Sequence, residues 1–279
     1  MLTRRSLLIA GGALSAGRLP AQGAKLRIGV TDWNLRLAGR IEAVALAASI
    51  GFEGVEVSLG RKVADGKLPL DNAELQDRYL AEAARHKIAL AGTCLDVLHV
   101  NYLKSDKLAL KWIADGIPIT RKLNAGVMLL PFFGAGALEK TEEMDYVGDA
   151  LREVGPQAER AGVKLGLENT ISAADNVRIM ERSRSAAVQT YYDTGNSKRA
   201  GFDPIQELRW LGAKRICQIH LKDNPHYLGE GEIDFAAVLK AIHDIGFSGF
   251  ANLETNSPSN SVPDDMKRNL AYLRRLLKA

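Results

Sequence analysis

Four polar residues each close a short apolar run. Glu168 follows Leu165-Gly166-Leu167, Asp193 follows Tyr191-Tyr192, His220 follows Cys217-Gln218-Ile219 and Glu254 follows Ala251-Asn252-Leu253. Three carboxylates and an imidazole brought to one place repel one another unless a cation sits among them. An oxygen-rich donor set with one imidazole suits Mn²⁺, Mg²⁺ or Co²⁺, with Zn²⁺ as a further fit. Taken singly each residue is weak evidence, because an acid at the end of a strand is often a helix cap and a histidine beside an apolar run is often a satisfied core residue. The same placement in four successive segments is what makes a shared metal site of Glu168, Asp193, His220 and Glu254 the better reading.

A C–H next to a carbonyl is weakly acidic, and a divalent ion on the carbonyl and neighbouring hydroxyl oxygens lowers the energy of the resulting enediolate by several kcal/mol. Glu168 and Glu254 come from different segments, so they can flank a bound substrate. One carboxylate removes the proton and the other returns it. Return to the same carbon from the opposite face epimerises, and return to the neighbouring carbon isomerises. Each positioned acid or base contributes about 10²–10⁴-fold.

These residues need elements that bring them together. After residue 25 the chain alternates short apolar runs with amphipathic stretches of helical period. The apolar runs are 26–30, 55–57, 88–92, 126–130, 163–167, 188–192, 216–221 and 250–253. Helical patterns cover 41–50, 72–86, 108–123 (with Pro118 as an interruption), 141–161, 173–184, 204–211, 234–245 and 263–277. Eightfold alternation implies parallel strands with right-handed crossovers, hence a (β/α)8 barrel, with a doubly wound open sheet as the competitor. A barrel of this kind uses about 250 residues, nearly all of this 279-residue chain. The four residues then end strands five to eight, at the carboxyl-terminal mouth where barrel active sites lie. Leu167, Ile219 and Leu253 face the outer helices, so the residue after each points to the barrel axis.

The strings Leu167-Glu168-Asn169, Asp193-Thr194-Gly195-Asn196, His220-Leu221-Lys222-Asp223 and Leu253-Glu254-Thr255, in that order, resemble the xylose-isomerase-like barrel family of sugar isomerases and epimerases. The segment Leu228-Gly229-Glu230-Gly231-Glu232-Ile233-Asp234-Phe235 is similar to its loop after strand seven. The resemblance runs from about Leu26 to the end. It implies a metal tetrad of Glu168, Asp193, His220 and Glu254, acid/base roles for Glu168 and Glu254, and a small carbohydrate-like substrate. Many epimerases of the family place a substrate-contacting His where this chain has Asn196, and their Arg after strand seven is missing from 223–231. The metal core is therefore better supported than any particular sugar.

Other residues are expected near the mouth. Lys222 shares the parity of His220 and can reach a substrate oxygen or a carboxylate. Glu56 ends strand two with inward parity, as a substrate contact or a group behind the ligands. Asn196 is placed to contact substrate, and Trp33 and His99 to wall the pocket. The glycines at 229 and 231 suggest a mobile loop over it.

Composition bounds the alternatives. The formal charge is +4, and three of those charges are Arg4, Arg5 and Arg18 in a stretch without acids. The nearly neutral remainder gives no footprint for nucleic acid. Only five histidines are present, of which His86 and His243 fall in helical patterns, so a multinuclear zinc nuclease lacks ligands. Residues 1–24 read as a twin-arginine-type signal, with Arg4-Arg5, a short apolar stretch and small residues near 19–24. Export to the periplasm is expected, with no stable membrane insertion afterwards, leaving residues 25–279 as one domain. Cys94 and Cys217 are expected as free thiols on strands far apart around the barrel. A lyase or dehydratase sharing the proton abstraction, and a non-catalytic sugar-binding barrel, are the rival functions.

Overall fold

The computed structural model describes residues 26–278, and the signal segment expected over 1–24 lies outside the described residues. The strands are β1 (Arg27–Thr31), β2 (Gly54–Ser58), β3 (Ala89–Cys94), β4 (Val127–Pro131), β5 (Lys164–Glu168), β6 (Val188–Asp193), β7 (Ile216–Leu221) and β8 (Phe250–Leu253). Each pairs in parallel with the next, and β8 returns to β1, closing the expected barrel. The helices are α1 (Glu42–Ile50), α2 (Ala73–His86), α3 (Leu108–Lys122), α4 (Thr141–Ala161), α5 (Ala173–Ser183), α6 (Thr194–Arg199), α7 (Pro204–Leu211), α8 (Phe235–Asp244) and α9 (Val262–Leu276). Among the described residues no helix is long and apolar enough to cross a membrane.

Polar side chains start many of the helices. Asn72, Ser172, Asp203 and Asp234 accept backbone N–H bonds at the starts of α2, α5, α7 and α8. The outward-facing strand residues Leu167, Ile219 and Leu253 are fully buried in the large core between barrel and helices. Inside the barrel, Cys94, Leu129 and Tyr191 form a separate small cluster.

The structure departs from expectation in places. Pro118 does not interrupt α3, which runs through it. Strand β3 continues to Cys94, because Thr93 and Cys94 pair with β2 and β4. Helix α6 was not legible in the periodicity; it starts directly at the end of β6, capped by the Asp193 side chain on the Asn196 N–H. Between β6 and β7 the register slips by one residue at Thr190/Tyr191, so that Tyr191 lies beside Gln218 and Asp193 beside His220.

Candidate metal centre and active site

The strands deliver the four expected residues to one point. Ligating atoms of Glu168, Asp193, His220 and Glu254 all lie within 4.8 Å of one another. Adjacent strands explain this: Asp193 and His220 are register partners, and the Glu254 N–H bonds to the Leu221 carbonyl. His220 Nδ1 is 3.0 Å from Glu168 Oε1, 3.5 Å from Glu254 Oε2 and 3.7 Å from Asp193 Oδ2. The chemistry of this donor set fits a divalent ion. Asp193 Oδ2 and Glu254 Oε2 are buried with the Lys222 ammonium as their cationic partner, and a divalent ion would satisfy the same two oxygens.

A polar layer supports the ligands from below. Glu56 is fully buried, and its Oε2 lies 2.9 Å from His220 Nε2. The same oxygen accepts the Tyr191 hydroxyl at 2.6 Å and Asn252 Nδ2 at 3.1 Å. Glu56 therefore stands behind His220, at the ring nitrogen opposite the one that faces the other carboxylates. With an ion bound, a proton kept on Nε2 by Glu56 would leave the Nδ1 lone pair to serve as the ligand. Tyr191 and Asn252 were missed in the sequence, as was Gln218, whose Nε2 donates to the Ala91 carbonyl across the barrel at 2.6 Å. The signal was available, since each sits two residues before a metal-site residue and shares its inward parity. Gly29 leaves room for Asn252: a Cβ there would lie 2.1 Å from Asn252 Oδ1.

At the mouth, the Trp33 indole N–H donates to Glu254 Oε1 at 2.9 Å, and its ring meets His220 edge-on. The loop carrying Trp33 is pinned by Asp32, which sequence reasoning also missed; its Oδ2 accepts from the Gly39 and Ser58 amides. His99 ends a 3₁₀ turn and stacks on Phe133. Lys222 is buried, with Nζ 3.0 Å from Asp193 Oδ2, against Glu254 Oε2, and 3.2 Å from Asn196 Oδ1. Asn196 Nδ2 is 3.3 Å from Glu168 Oε1, so this amide joins Lys222 to Glu168. The loop at 229–231 is tied down: Gly229 and Gly231 both donate to Asp223 Oδ2, and Leu228 N–H to Asn269 of α9. It is an anchored turn where a mobile cover was expected. Next to the site a cleft of about 300 Å³ is lined by Gly195, Arg199, Asn224 and His226, among others.

Burial and then the Glu254 carboxylate push the Glu168 carboxyl up to about 7. Burial also pushes Asp193 up. Burial would raise Glu254 too, but the Lys222 ammonium and then His220 hold it down at about 2. His220 is pulled up by Glu168, Glu254 and Glu56 in spite of burial, which opposes its charged form. Cys94 and Cys217 are both free, and burial raises both thiols, Cys217 to about 12, so neither is a ready nucleophile.

Comparison with known proteins adds four findings. Residues 44–276 match the sequence profile described as xylose isomerase-like TIM barrel. Over 200 residues the chain is 28% identical to 2-epi-5-epi-valiolone 7-phosphate 2-epimerase of Actinoplanes sp., covering 71% of this chain and 73% of that enzyme. The barrel is similar to D-psicose 3-epimerase from Clostridium cellulolyticum H10, with a TM-score of 0.76 and 18% identity over 90% of this chain and 99% of the other. It is also similar to the IolI protein solved with a zinc atom, with a TM-score of 0.71 and 19% identity over 90% and 98% of the two chains.

Proposed function

The chain belongs to the xylose isomerase-like TIM barrel family, and we propose that it is a divalent-metal-dependent isomerase or epimerase of a small polyol-type carbonyl compound. The observation that carries this is the convergence of Glu168 and Glu254 with Asp193 and His220 within 4.8 Å. The epimerase named among its relatives supports the same chemistry.

Glu168, Asp193, His220 and Glu254 would hold the ion, and a divalent ion, when bound, supplies electrostatic stabilisation for charge on the substrate oxygens. The chain's own residues do the rest. Glu168 and Glu254 approach from β5 and β8, so one takes the proton from the carbon beside the carbonyl and the other gives it back. Glu56 fixes the His220 ring, and Trp33 fixes one oxygen of Glu254, which keeps the carboxylate from rotating between turnovers. Asn196 holds Glu168 from the side.

Incubation with candidate ketoses and hydroxy-carbonyl compounds in D₂O with Mn²⁺ tests this. Deuterium should enter the carbon next to the carbonyl, and Glu168→Gln and Glu254→Gln should each slow that exchange by about 10²–10⁴-fold. A second product released along with exchange would indicate a lyase. Turnover without any exchange would rule out proton abstraction.

A further inference from the structure

Lys222 occupies a place that the reaction just proposed does not explain. Its ammonium lies against Asp193 Oδ2 and Glu254 Oε2, two buried oxygens of the tetrad. These same atoms lie 3.7 and 3.5 Å from the ring nitrogen that completes the ligand set. An ion at the centre of the tetrad would use them at about 2.0–2.6 Å. A divalent and a monovalent cation would then compete for one pair of carboxylates.

Two features show that the position of Lys222 is built. Its aliphatic stem lies on Gly195: a Cβ there would come within 2.8–3.0 Å of Lys222 Cγ, Cβ and Cδ, which only glycine avoids. A second acceptor is also ready. Asn196 Oδ1 lies 3.2 Å from Nζ, and the opposite end of that amide is held by Glu168, which turns the oxygen toward the lysine.

We propose that Lys222 is a placeholder cation: it neutralises the carboxylates of the metal-free site and gives up Asp193 and Glu254 to the incoming ion while keeping its bond to Asn196. The inference rests on the tetrad being a metal site. It follows that the lysine weakens metal binding while it stabilises the metal-free fold, two effects that a simple structural ion pair would not couple.

The test is calorimetric titration of Mn²⁺ into the full chain, wild type and Lys222→Met, together with thermal unfolding in chelator and in Mn²⁺. The expected result is a dissociation constant at least about tenfold lower for Lys222→Met, a lower melting temperature in chelator, and a larger rise on adding Mn²⁺. Gly195→Ala keeps the charge but pushes the stem off its seat, and should tighten Mn²⁺ binding in the same direction by a smaller factor; it serves if Lys222→Met does not fold. Wild-type binding with unchanged or weaker affinity in the folded variants would overturn the placeholder role alone. No Mn²⁺ binding by either wild type or variants would overturn the metal site itself and this inference with it.

Discussion

At the residue scale, one fully buried carboxylate stands behind the four-residue cluster. Glu56 holds the outer nitrogen of His220 and collects donors from Tyr191 and Asn252 on one oxygen. Groups that orient a ligating imidazole are typically worth about 10–100-fold in metal affinity. Glu56→Gln should therefore weaken Mn²⁺ binding by about that factor with the circular dichroism spectrum unchanged; equal affinity in the two proteins would show that His220 needs no such partner. The convergence of the four residues was readable from sequence because each ends an apolar run. Glu56 was readable only as an inward-pointing acid, since one parity serves both the mouth and the layer beneath it. Its depth depends on how far β2 is staggered against β7, and that emerges from closing the barrel.

At the element scale, Pro118 shows why a sequence rule failed. Proline lacks the N–H that would bond the carbonyl four residues back, so a helix interior proline leaves that acceptor open. In α3 the acceptor is Ala114 O, and Gln157 of α4 donates to it from the side at 2.8 Å. The repair comes from 39 residues away in sequence, beyond any local pattern. Gln157→Leu should cost about 0.5–1.5 kcal/mol, the net worth of a hydrogen bond to this half-buried acceptor. In a Pro118→Ala background, where the helix can supply its own bond, the same change should cost less. Urea unfolding of the four proteins in this cycle measures the coupling, and additive costs would refute it. Helix α6 escaped notice for a related reason: six residues carry too little periodicity, and its start is set by Asp193, a residue read as a metal ligand that also caps the Asn196 amide.

At the scale of the whole molecule, eightfold alternation was enough to forecast a closed barrel, because strand count, parallel crossovers and chain length leave few other arrangements. What surrounds the mouth was less legible. The loop after β7 takes its shape from Asp223, eight residues before Gly231, and from Asn269 on the last helix, 41 residues beyond Leu228. We further propose that the protein is exported already folded by the twin-arginine route, which would suit an enzyme that acquires its ion before leaving the cytoplasm. Replacing Arg4 and Arg5 together by Lys should leave the uncleaved precursor in the cytoplasm, as cell fractionation would show, and undiminished export would dismiss that route.

The layer beneath the ligands has a consequence for how protons travel. Gln218 reaches across from β7 to β3, and Tyr191, Glu56 and Asn252 fill the axis next to it, all buried. Among the described residues these buried side chains fill the axis beneath the carboxylates, and Trp33 stands at the rim on the other side. A substrate seated at that rim covers the carboxylates. With one of Glu168 and Glu254 taking a proton and the other delivering one, both must reset with solvent protons between turnovers, so label in the product counts how often the rim clears.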